Sequence, residues 1–144
     1  MRGRDRREEG RAVVEFVFLG VLMLVPLVYL VLTAARIQAA SFAVTLASRE
    51  AARAFVTASD DQDAARRAQA AATLAFGDFA FRHGTRLDLR CDGSPCLRPD
   101  GTVTARSSIA VDLPLVPDFI AERVPAAVTI SSTQVQAMDR FVAR

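Results

Sequence analysis

The chain has 144 residues and a formal net charge of +2, enough for one membrane helix and one small domain. Its 18 basic residues are all arginine, and from Arg36 onward arginines and acids nearly balance. No basic block or aromatic-basic stripe occurs there, which argues against nucleic acid as a partner.

A short charged leader, Met1 to Glu9, precedes the sequence Gly10-Arg11-Ala12-Val13-Val14-Glu15-Phe16. From Ala12 to Ala35 the chain is apolar, with Glu15 its one charge, and this run inflates the hydrophobic fraction to 51%. As a helix it would be about 36 Å long, enough to cross a hydrocarbon core of ~30 Å with tilt. A charged carboxylate costs about 2.5–3.5 kcal/mol at the centre of such a helix and less near its end, so Glu15 reads as functional. Pro26 lies mid-span, removes one backbone hydrogen bond and predicts a kink. Arg2, Arg4, Arg6, Arg7 and Arg11 precede the span and only Arg36 follows it closely. The positive-inside rule then puts the N-terminus in the cytoplasm and the C-terminal domain outside, on a single-pass protein of the cell membrane. A cleavable Sec signal is one alternative, since Thr33-Ala34-Ala35 and Gln38-Ala39-Ala40 offer small residues to a signal peptidase. A plain uncleaved anchor is another.

Glycine, four residues, glutamate and an aromatic, running into a hydrophobic helix, resembles the prepilin-peptidase site of type IV pilins. The closest likeness is to the TadE/TadF-type pseudopilins, minor pilins of the tight-adherence (Tad/Flp) system. It is strong over roughly Arg7 to Ala40 and beyond that rests on architecture. The resemblance implies that a membrane aspartyl peptidase cuts between Gly10 and Arg11, leaving Glu15 as the fifth mature residue. Residues 1–10 would then be a leader, 11–58 a transmembrane helix with an extracytoplasmic extension, and 59–144 an extracytoplasmic α+β domain. The implied partners are prepilin peptidase, other Tad pilins and pseudopilins, inner-membrane platform proteins and membrane lipid. The absence of lysine excludes pilins cross-linked through lysine isopeptide bonds.

The helix should continue past the membrane, because Arg36 to Ala58 has no Gly or Pro and is rich in alanine. Ala35, Ala39, Ala43, Ala47 and Ala51 recur every four residues along one slightly slanting face. That face lets another helix approach closely in a filament, or packs against the protein's own domain; the spacing leaves both open. Ser59 with Gln62 matches a capping box, and a second helix is expected from Asp60 to about Phe81. Ala68, Ala72, Ala75, Phe76 and Phe79 give it an apolar core face. After His83-Gly84 the period becomes alternating. Arg86 to Arg90 reads as a half-buried strand, and Pro99-Asp100-Gly101 as a turn. Val103, Ala105, Ser107, Ile109, Val111 and Leu113 fall on one face of a longer second strand, ended by Pro114 and Pro117. A third strand opens at Val128 and Ile130 and runs to about Met138, with Val135 out of phase, which suggests a bulge or twist. The expected fold is α+β and pilin-like: a long N-terminal transmembrane helix, a second helix, and a small three-stranded antiparallel sheet that buries one face on helix.

Cys91 and Cys96 are the only cysteines. Zinc needs more ligands than they and His83 supply, and a catalytic thiol pair is usually closer together. In a domain outside the cytoplasm a short-loop disulfide is expected, whose main effect is to pin the loop; two reduced cysteines without a role are the alternative. His83 reads as a solvated loop residue. Asp60, Asp61 and Asp63 lack the glycine and closing glutamate of a calcium loop and suit a helix start. No phosphate loop or nucleophile motif occurs, so no catalytic residue, metal or cofactor is expected, and the protein reads as a peptidase substrate and not an enzyme. In the pilin reading, the new α-amine of a neighbour's Arg11 pairs with Glu15, next to Phe16, and sets axial register. The runner-up is an extracellular ligand-binding domain, anchored or released by signal peptidase and unrelated to pili.

Overall fold

The first helix is long because nothing before Thr57 ends it. The computed structural model describes residues 5–112 and 127–140. In it α1 runs Asp5–Val56 and contains Pro26. Helix α2 (Asp61–Asp78) follows, then β1 (Thr85–Cys91), β2 (Thr102–Asp112) and β3 (Ala127–Ala137). Leu113, expected on the second strand, and Pro114 and Pro117, expected to end it, lie outside the described residues. The chain divides into two units at Ala35 and Arg36.

The first unit is apolar on every side. Phe16 is 77% exposed and Met23 74%, and Val13 to Leu32 show large apolar side chains all round the helix. In water this would be a large unprotected hydrophobic surface. In hydrocarbon each Leu, Val or Phe near the helix centre contributes roughly −0.3 to −0.6 kcal/mol. The sum over such a run outweighs one terminal carboxylate, and the segment is consistent with a single-pass membrane anchor. Thr33 Oγ1 donates to Tyr29 O at 2.9 Å, so its hydroxyl is satisfied within the helix.

In the second unit the three strands form an antiparallel sheet in the order β1-β2-β3. Residue pairs run from Thr85↔Ile109 to Cys91↔Val103, and from Thr102↔Ala137 to Asp112↔Ala127. The second ladder is one-to-one throughout, so no bulge occurs at Val135. Val135 lies opposite Thr104 on the outer face and is 55% exposed. Its apolar side chain is out of phase because that face carries it, not because the strand slips.

The core joins Ala40, Ala43, Val44, Ala47, Ala51, Ala52 and Phe55 of α1 to Ala64, Ala68, Ala72, Ala75 and Phe76 of α2. Val103, Ala105, Ile109 and Val111 of β2 complete it, with Leu87 and Leu89 of β1 partly buried against them. Ala43, Ala47 and Ala51 are therefore buried in the protein's own domain, Ala39 is half-buried, and Ala35 is exposed. Small residues let the strand reach the helix backbone: buried Ser107 donates from Oγ to Val44 O at 2.6 Å. Buried Ser48 donates from Oγ to Thr45 O at 3.1 Å and lies 3.3 Å from the hydroxyl of Ser132, the residue paired with Ser107. These hydroxyls are satisfied where an unpaired polar group would destabilise the core.

Both ends of α2 differ from expectation. Asp60, not Ser59, is the N-cap: its backbone is extended, and Oδ1 accepts from Asp63 N at 2.8 Å. A carboxylate here also offsets the positive helix terminus, which a hydroxyl does not. The helix stops at Asp78, before Phe81. Ala80 takes φ +62°, Ala80 N–H reaches Gly77 O, and Phe81 N–H reaches Phe76 O at 3.0 Å. This left-handed closure turns Phe81 back into the core.

Candidate functional site

The N-terminal motif lies wholly on α1, in the first unit. The helix passes without a break through Gly10 and Arg11. A peptidase that cuts there must unwind a turn, and Gly10, about 1 kcal/mol poorer in a helix than alanine, lowers that cost. Arg11, Glu15 and Phe16 are exposed. Among the described residues Glu15 makes no ion pair, although Arg11 is one helical turn away. The carboxylate thus enters an apolar helix with no described partner from its own chain.

The second unit holds a different arrangement, around the loop between β1 and β2. Cys91 and Cys96 are bonded, with Cα atoms 5.4 Å apart, and no free cysteine is present. Asp61, in the first turn of α2, accepts from Cys96 N–H and Leu97 N–H, each at 3.0 Å. Asp92 Oδ1 pairs with Arg98 Nη2 at 2.9 Å. The Asp92 carboxyl is held below the usual carboxylate range by its hydrogen bond from the Thr102 backbone, against some desolvation, with Arg98 adding to the lowering. Arg98 lies between two glycines: a Cβ on Gly93 would meet its Nη2 at 2.8 Å, and one on Gly101 its Cγ at 2.9 Å. Pro99 and Asp100, the latter at φ +59°, then turn the chain so that Gly101 N–H returns to Arg98 O at 3.0 Å.

The three acids at the start of α2 thus have three separate tasks. Asp60 caps and Asp61 clamps the loop. Asp63 pairs with Arg66 at 3.2 Å and Arg67 at 2.6 Å. Desolvation raises the Asp63 carboxyl, but the hydrogen bond from Arg66 and the charge of Arg67 outweigh it and leave it lowered. Among the described residues no group of His, Cys, Asp and Glu is placed to hold a metal. His83 is exposed.

Sequence reading missed the role of Asp61, because a clamp over 35 residues has no local signature. It also missed Arg98, although glycines on both sides of one arginine in a short loop were a usable signal. Asp61→Asn keeps one acceptor oxygen but loses the charge that strengthens both bonds. We expect it to speed reduction of the Cys91–Cys96 bond by dithiothreitol while the far-ultraviolet circular dichroism stays unchanged; an unaltered reduction rate would remove the clamp.

No family model, curated protein or solved structure matches this chain.

Proposed function

We propose that this protein is a minor pilin or pseudopilin of the tight-adherence kind. It waits in the membrane on α1, is trimmed after Gly10 by prepilin peptidase, and then joins other pilins and the inner-membrane platform to start or cap a filament. The observation that carries this reading is Glu15: a carboxylate five residues after a glycine, in an otherwise apolar helix, without a described ion-pair partner. Cleavage would create a positive α-amine at Arg11. In an apolar bundle of such helices, each carboxylate would take a neighbour's amine and fix the axial step. The protein is then a substrate and a building block, with no catalytic group of its own.

In this reading the N-terminus is cytoplasmic and the second unit extracytoplasmic, as the arginine asymmetry around the span supports. Thiol labelling of intact cells tests that placement. A membrane-impermeant maleimide should label Cys91 and Cys96 only after a reductant is added. Labelling that needs cell lysis even with reductant contradicts the topology.

A further inference from the structure

We propose that a cleft at the start of the second unit, lined by Arg36, Arg82 and His83 over Phe81, binds the phosphodiester of an anionic phospholipid. Arg36 is the first residue after the apolar run ending at Ala35. With that run across the hydrocarbon, a rise of about 1.5 Å per residue would put Arg36 near its edge, at head-group depth. The cleft has a volume of about 320 Å³, and its walls include Val111 and Asp112.

The cleft is built from three separated parts of the chain, and the fold fixes each. Arg36 is held on α1, with its guanidinium 4.9 Å from the centroid of the Phe81 ring. That contact holds the cation over the ring, and the exposed guanidinium carries the planar N–H fork that grips a phosphate through two parallel bonds. Arg82 and His83 lie between two anchors. On one side Phe81 N–H bonds Phe76 O; on the other Ala110 N–H bonds Gly84 O at 3.0 Å. Gly84 has φ +69°, and a Cβ there would meet Ala110 O at 3.1 Å, so the approach needs glycine.

Charge selects the ligand. Among the described residues neither Arg36, Arg82 nor Asp112 makes an ion pair. Two arginines against one aspartate leave a single net positive charge from these three side chains. That suits the singly charged phosphodiester of a lipid better than an inorganic phosphate dianion. Phe81 and Val111 also line the cleft but are almost wholly buried, so charge does the selecting. The proposal rests on the membrane span and not on the pilin reading, so a failure of cleavage at Gly10 leaves it intact.

Native mass spectrometry of the full-length protein, released from detergent in the presence of phosphatidylglycerol or phosphatidylcholine, tests this. Phosphatidylglycerol should be retained in preference to phosphatidylcholine. Arg36→Gln with Arg82→Gln should weaken that retention about tenfold. Arg86→Gln with Arg106→Gln removes the same charge from exposed strand positions outside the cleft and should leave it unchanged. Equal loss in the two double variants, equal retention of the two lipids, or full displacement by inorganic phosphate would each overturn the proposal.

Discussion

Cells producing the Glu15→Ala protein should hold normal membrane levels of it, trimmed to Arg11, and yet assemble no pili. Alanine is the best helix former, so α1 is kept. The charge cost near the membrane edge disappears, so insertion should be no worse. Cleavage should survive if the peptidase reads mainly the glycine. Assembly should fail because the α-amine of a neighbour's Arg11 then enters a low-dielectric bundle unpaired, a state that costs several kcal/mol per ion. Glu15→Gln should fail as well, since it restores size and hydrogen bonding but not charge. Immunoblots of membranes and of sheared filaments report both steps. Normal pilus yield from Glu15→Ala would leave Glu15 as a tolerated residue at the membrane edge.

Ala47→Leu should strongly destabilise the second unit, and Ala35→Leu should not. Ala47 is fully buried on the α1 face that carries Val44, whose carbonyl Ser107 approaches to 2.6 Å. A contact that close leaves no room for a larger side chain, and overpacking of this kind costs about 1–3 kcal/mol. For a domain of this size that lowers the melting temperature by roughly 4–20 °C. Ala35 lies on the same stripe but is exposed, in the first unit. Thermal melts in detergent, followed by circular dichroism, compare the two. Equal melting temperatures would contradict the burial of the stripe in this domain.

The element order was legible because each element announces its period. The apolar run, the alanine-rich extension and the alternation from Arg86 onward are local patterns, and the helix-helix-sheet layout follows from them. What escaped depends on long-range contact. The four-residue alanine spacing shows a close-packing face but not what packs on it, and it took the sheet to show that Ala43, Ala47 and Ala51 are buried at home. Val135 suggested a bulge because alternation was judged without the partner strand, whose Thr104 accepts it in register. Ser59 looked like a cap because the pattern admits either neighbour, and the carboxylate of Asp60 supplied charge as well as an acceptor. In the N-terminal motif the residue types and spacing are all in the sequence, whereas the proposed pairing of Glu15 would need a second subunit.

Pilin-like processing of the proposed kind would show at the N-terminus of the mature protein. Sequencing of the protein purified from membranes should read Arg11-Ala12-Val13-Val14-Glu15, and Gly10→Val should leave a larger membrane-bound precursor. A mature chain that begins near Arg36 or Gln38, or one that keeps Met1 to Gly10 in cells with an active prepilin peptidase, would rule out pilin-type processing.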